Sequence, residues 1–261
     1  MKSFSFAIFL SVFGIFSIII RAQDGEISSG AIIRTDTTQK EIHLIFTGHH
    51  FADGGQTIRE ILKKHKVKAS FFFTGDFYRN PDFSSIIKGL KKDGHYLGGH
   101  SDNHIMYVSP ESTKSTIVTR EEFRIDLKNN YAAMKRFGIN RRDAYIYLSP
   151  FERYNQETAD WVKAEGLTLI NFTPGTLSNE DYSIPSMGNG YVNSDKIYES
   201  IIKYEQGSEV GLNGFILLTH IGTVPERTDK FYFKLDKLIS GLEAKGYKFT
   251  KLHFNTPAVR K

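Results

Sequence analysis

The sequence predicts an α/β fold, a distorted seven-stranded (β/α) barrel, and three observations carry that expectation. From Glu41 onward, short apolar runs alternate with amphipathic stretches, the pattern of βα units wound around a mainly parallel sheet. The run VKASFFFTG over 67–75 is almost continuously apolar, as a strand covered on both faces is. Seven such runs fall within 261 residues, a length that supports one sizeable core. An open doubly wound sheet is the alternative that the same pattern permits.

Taken in order, the chain begins with Met1-Lys2-Ser3, then FSFAIFLSVFGIFSIII and Arg21-Ala22-Gln23. A basic start, an apolar stretch too short for a comfortable membrane span and a small residue at its end predict a signal peptide over 1–22 and export of the rest. Residues 23–40 are polar and irregular and read as an exposed leader. The domain proper is expected over 41–261. Its strands are IHLIFTG (42–48), VKASFFFTG (67–75), GHYLGG (94–99), AYIYL (144–148), LTLINF (167–172), GFILLTH (214–220) and YKFTKL (247–252). Helices are expected near 57–66, 83–90, 156–165, 194–205 and 229–245. Another, long helix starts at the capping box Thr119-Arg-Glu-Glu122 and continues with Phe123, Leu127, Tyr131 and Met134 at helical spacing. Segments 105–118 and 173–193 are long connections, and loops of that length in compact domains usually carry function.

Composition excludes some classes. The chain has no cysteine, so stability rests on its core without disulfides. The formal charge of +5 includes Lys2 and Arg21, which would leave with the signal, and the remaining basic residues are scattered. That is no nucleic-acid footprint, and no membrane span is expected once the signal is removed.

The polar residues collect at the carboxyl ends of the strands, the rim where parallel α/β folds bind ligands. His49, His50 and Asp53 follow the first strand, His100 and His104 the third, Glu152 and Arg153 the fourth, Asn171 and Thr173 the fifth, and His220 the sixth. Five of the nine histidines thus share one rim. His100 and His104 stand four apart, so a helix or tight turn starting at Ser101 would bring both imidazoles to one metal ion. Away from the rim, His43 and His65 read as ordinary strand and helix-end residues and His95 as a surface or capping residue. Asp102 is open between orienting a histidine and capping a helix. Tyr107 and Phe151 are the aromatics best placed to stack on a ligand.

At this point the chain resembles the polysaccharide deacetylases, the NodB-homology carbohydrate esterase family, over about residues 41–252. His100-Ser-Asp-Asn-His104 is similar to the family motif that supplies two zinc ligands. LKKHKVKASFFFTG and KGLKKDGHYLGGHSDNH resemble the segments around it, and GFILLTH followed by LEAKGYKFTKL resembles the ending in which a histidine, here His220, acts as general acid. The family's first motif, Thr-Phe-Asp-Asp-Gly, carries a base and a metal ligand. The matching stretch here, Phe46-Thr47-Gly48-His49-His50-Phe51-Ala52-Asp53-Gly54-Gly55, allows two registers: His49-His50 on the paired aspartates, or Asp53 on the metal ligand. YLSPFERYN stands where the family has an Arg-containing motif, with Leu148 in place of that Arg.

The resemblance implies a divalent metal, zinc first, and an acetylated polysaccharide or oligosaccharide as substrate. The assignment expected is His49, His100 and His104 on the metal, Asp53 as base and His220 as acid, with water on the metal attacking an acetyl group in N- or O-deacetylation. Glu152 is a spare carboxylate in range. The altered first and third motifs also fit a carbohydrate-binding relative that has lost the chemistry.

Overall fold

The computed structural model describes residues 25–254; the signal segment expected over 1–22 lies outside the described residues. The strands are β1 (Ile27–Ser28), β2 (Ala31–Ile32), β3 (Glu41–Gly48), β4 (Ser70–Phe73), β5 (Tyr96–Gly99), β6 (Ile146–Leu148), β7 (Thr168–Ile170), β8 (Phe215–His220) and β9 (Lys248–Phe249). The α-helices are α1 (Gly55–Lys64), α2 (Gly75–Arg79), α3 (Ser84–Lys92), α4 (Arg120–Lys135), α5 (Gln156–Ala164), α6 (Ser194–Gly207) and α7 (Leu235–Glu243). All seven expected strands are present. The expected capping box forms: the Thr119 side chain accepts from Glu122 N–H while the Glu122 carboxylate accepts from Thr119 N–H at 2.7 Å.

Strand order is β1-β2-β7-β6-β5-β4-β3-β8, with β9 beside the start of β3, and every pairing among β3 to β9 is parallel. The sheet curls until its ends meet. Thr173, just past β7, donates its N–H to Ile216 O on β8 at 3.0 Å. Its hydroxyl accepts the Ile216 N–H at 2.9 Å, and Arg34 forms an antiparallel bridge to Phe215. The result is a distorted barrel closed by short polar seams.

Side chains alternate across this wall as strand geometry requires. Ile45, Phe72, Tyr96, Ile146, Leu148, Ile170, Ile216 and Leu218, drawn from six strands, form one apolar cluster inside. Leu44, Phe46, Phe71, Phe73, Leu97, Tyr147 and Leu217 join the larger cluster beneath the helices. Barrel filling and helix packing thus consume the apolar residues and leave the rim to polar ones. No helix among the described residues is long and apolar enough to cross a membrane.

One expectation is corrected. The stretch over 23–40 is not a bare exposed leader where it is described: β2 pairs in parallel with β7, Ala31 and Ile33 are buried, and Arg34 is only 5% exposed. The Arg34 guanidinium donates to Gly211 O at 2.8 Å and Asn213 O at 2.9 Å. Two-residue strands carry too little periodicity to be seen in sequence; here backbone pairing with the free edge of β7 decides.

Candidate active site

Each rim residue is placed by the strand that precedes it. β5 ends in Gly98-Gly99, and a Cβ on Gly99 would sit 2.4 Å from Asn130 Oδ1. The glycine admits Asn130, which accepts the His100 N–H at 3.2 Å and donates to Phe73 O at 3.1 Å, tying the ends of β4 and β5 together. Beyond His100 the chain makes an irregular turn rather than the expected helical one, with Ser101 at φ 71° and His104 at φ 56°. The buried Asp126 carboxylate organises that turn. It accepts from Ser101 Oγ at 3.0 Å, Asp102 N at 2.9 Å and Tyr107 Oη at 2.6 Å.

The turn brings His100 and His104 together by a different route from the one expected. Their Nε2 atoms stand 3.2 Å apart. His100 Nδ1 faces the carbonyl of Leu148 at 3.0 Å; a carbonyl only accepts, so Nδ1 carries the proton and Nε2 presents a bare lone pair. Burial depresses both imidazoles, His100 to about 3 and His104 to about 2, and neighbouring histidines depress His104 further. Both are neutral at ordinary pH, the form that ligates metal. Two nitrogens held about 2.0–2.1 Å from one tetrahedral ion lie about 3.3 Å apart. The pair therefore fits two coordination positions of a single ion.

The third expected ligand is not assembled with them. His49 lines the same cleft, but its Nδ1 bonds Thr74 Oγ1 at 3.0 Å, and its ring lies face to face with that of His104 at 4.9 Å. His50 opens onto a neighbouring apolar recess with Phe51, Ile184 and Met187. Among the described residues, no three His, Cys, Asp or Glu side chains are grouped to hold a metal. The Thr74 hydroxyl at the start of α2 engages Nδ1 and leaves Nε2 without a hydrogen-bond partner among the described residues.

Asp53 is not in the cleft at all, contrary to the expectation of a base. Its Oδ1 accepts from Thr223 N at 2.8 Å, its Oδ2 from Tyr232 Oη at 3.0 Å, and Lys230 Nζ lies 2.9 Å away. It fastens the segment after β3 to the one after β8. Asp102 likewise forms an ion pair, with Arg79 Nη1 at 2.6 Å.

The carboxylate that does face the histidines is Glu152. Its Oε1 lies 3.8 Å from His100 Nε2, and burial pushes its pKa up to about 7. Phe151 and Glu152 both hold left-handed backbone, φ 57° and 55°, costly for non-glycine residues and found where a site over-determines the chain. The turn lays Phe151 over His104, ring centroids 4.2 Å apart. Phe151 and Tyr182 line the cleft half exposed, whereas Tyr107 is fully buried and serves the Asp126 network instead.

Opposite stands His220, closing β8. The buried Asp181 carboxylate accepts from its backbone N–H at 2.9 Å and from Nδ1–H at 2.6 Å. Burial pulls the imidazole pKa down, but the charge and hydrogen bond of Asp181 outweigh it, with a net rise above 6.5. Asp181 was missed in the sequence, where it lies in the long connection over 173–193; an acidic residue in a long loop is its only signal. The whole cleft measures about 710 Å³ and is lined by Thr47, His49, His100, His104, Phe151, Glu152, Tyr182 and His220 among others. It holds paired nitrogens for a cation, a carboxyl group titrating near neutrality and a carboxylate-supported imidazole. That set suits acid–base hydrolysis.

Comparison with known proteins identifies the family and the fold. The family model described as polysaccharide deacetylase matches residues 34–170. The peptidoglycan-N-acetylglucosamine deacetylase of Bacillus cereus is 22% identical over 211 residues, 78% of this chain and 64% of that one. Among solved structures, Bacillus subtilis PdaA, a family 4 carbohydrate esterase, superposes with a TM-score of 0.66 at 21% identity, covering 85% of this chain and 83% of that one. A pseudoenzyme of the same esterase family from Bacillus anthracis gives 0.65 at 18%, covering 87% and 68%. At these identities the superpositions speak for the fold. The sequence matches span between 26% and 64% of the length of the first curated relatives.

Proposed function

The chain belongs to the polysaccharide deacetylase family, and we propose that it is an exported, metal-dependent hydrolase that removes acetyl groups from a polysaccharide. The observation that carries this reading is the single cleft in which the His100–His104 pair, Glu152 and the His220–Asp181 pair meet. His100 and His104 would hold the divalent ion through Nε2, with His49, in the same cleft, as third ligand. Imidazole donors suit zinc and several neighbouring metals. When bound, the ion supplies Lewis acidity to the acetyl carbonyl and acidifies water.

The chain's own residues do the rest. Glu152, near pKa 7, takes a proton from the attacking water as the new C–O bond forms. His220, whose protonated form the Asp181 carboxylate favours, gives its Nε2 proton to the departing amine or sugar oxygen as the acyl bond breaks. Phe151 and Tyr182 offer exposed rings on which pyranose faces stack. Acetate release from chitooligosaccharides, peptidoglycan or acetylated xylan by zinc- or cobalt-loaded protein tests the reading; no release from any of them overturns it.

A second reading is a carbohydrate-binding relative without turnover. It is favoured by the commitment of Asp53 to Lys230, Tyr232 and Thr223, and by the absence of a preformed three-donor group among the described residues. Oligosaccharide binding that survives His220→Ala, with no turnover by the parent, selects it.

A further inference from the structure

Thr47 is the last inward-facing residue of β3. It pairs in register with His220 on β8 and Phe72 on β4, so its side chain stands next to the acid at the floor of the cleft, where it is part of the lining. Thr47 is 2% exposed, and its Oγ1 has no hydrogen-bond partner among the described residues. Its backbone carbonyl is satisfied by Ile221 N–H at 2.8 Å, so only the hydroxyl is left over.

A buried hydroxyl without a partner destabilises the fold, and native structures keep few of them. Here the orphan belongs to a residue that lines the cleft together with the proposed acid and the histidine pair, where the scissile acyl group must lie. A hydroxyl can both donate and accept, but the charge that develops there is negative and on the acyl oxygen. We propose that Thr47 is a catalytic residue whose Oγ–H donates a hydrogen bond to the acyl oxygen as water adds to the acyl carbon. The assignment rests on the deacetylase reading above.

The step balances without a further reagent. Water oxygen bonds to the acyl carbon, its proton passes to Glu152, and the carbonyl electron pair moves onto the oxygen held by Thr47. The pair then returns, the bond to nitrogen or sugar oxygen breaks, and His220 protonates the leaving atom. Acetic acid departs and loses its remaining proton to solvent as acetate, and the Glu152 proton returns to His220 through solvent. Thr47 keeps its own proton throughout.

The test compares Thr47→Val, which matches the shape without the hydroxyl, with Thr47→Ser, which restores it. Three readouts are taken: kcat and KM on penta-N-acetylchitopentaose, affinity for acetate by calorimetry, and thermal unfolding. The Val variant should lose about a hundredfold in kcat with KM little changed, bind acetate about tenfold more weakly and melt no lower than the parent; the Ser variant should recover most of both losses. Parental kcat in the Val variant, or a loss confined to KM, overturns the proposal. If the parent releases no acetate at all, the deacetylase reading fails on its own. The acetate titration then decides for Thr47, and equal affinity in parent and Val variant, or no binding by either, overturns it.

Discussion

Asp181 grips His220 twice, its two carboxylate oxygens accepting from the backbone N–H at 2.9 Å and from the ring Nδ1–H at 2.6 Å. One carboxylate thereby fixes the tautomer, the ring plane and the charge of the proposed acid. Asp181→Asn removes the charge and keeps the shape. A raised folded-state pKa means that the protonated acid persists below it and is lost as pH rises through it, so the alkaline limb of kcat/KM should move to lower pH in the variant. The stabilisation that His220 adds is likewise present below pH 6.5 and fades as pH rises through the folded value. An unmoved limb would show that Asp181 does not set the acid.

Glu152 should control the opposite limb. Its pKa near 7 means that the base form accumulates as pH rises through neutrality. Glu152→Gln should cut kcat by about 10²–10⁴-fold and abolish the rising limb of the pH–rate profile. Asp53→Ala, by contrast, should leave kcat within a few-fold and cost only about 1 kcal/mol in denaturant unfolding, since its partly exposed ion pair and hydrogen bonds are structural. A reversed ranking of the two variants would return the base role to Asp53.

Metal content distinguishes the ligands. Elemental analysis of the zinc-reconstituted protein should find about one equivalent in the parent and next to none in His100→Ala or His104→Ala. His49→Ala should weaken binding, and His50→Ala and Asp53→Ala should not. Retention of a full equivalent in His100→Ala would remove the site.

A residue away from the cleft makes the fold acid-sensitive. His95, expected as a surface or capping residue, is buried, and its Nδ1 accepts the Ala69 N–H at 3.1 Å. Burial, helped by Lys68, lowers its pKa to about 4. The unfolded chain takes up this proton near pH 6.5 and the folded chain does not, so stability is full above 6.5 and declines as pH falls toward 4, by at most about 3 kcal/mol. His95→Gln, which keeps an acceptor but does not titrate, should flatten that slope in melts recorded between pH 7 and 4.

Arg227 anchors the loop that carries Asp181. Fully buried, it donates to Ser183 O at 2.5 Å and Val192 O at 3.1 Å. Arg227→Met leaves those carbonyls without a donor and should cost about 3 kcal/mol. It should also lower kcat by loosening Asp181. Unchanged stability in urea unfolding would show that the loop is held otherwise.

Much of this was legible in local sequence. The βα alternation, the seven strands, the Thr119 cap and the positions of His100, His104 and His220 are set by patterns a few residues long, because strand burial and rim position follow from neighbouring residues. What the tertiary structure decided concerns partners far apart in the chain. Lys230 and Tyr232, more than 170 positions beyond Asp53, draw that carboxylate out of the cleft. Asp181 reaches His220 across 39 positions. Thr74, 25 positions on, engages His49 Nδ1, and burial, aided by the charges of Asp181 and Glu180, turns Glu152 from a spare carboxylate into one that titrates near neutrality. Residue type and spacing specify which groups can reach the rim. Their charge and partners depend on desolvation and on contacts that exist only once the barrel has closed.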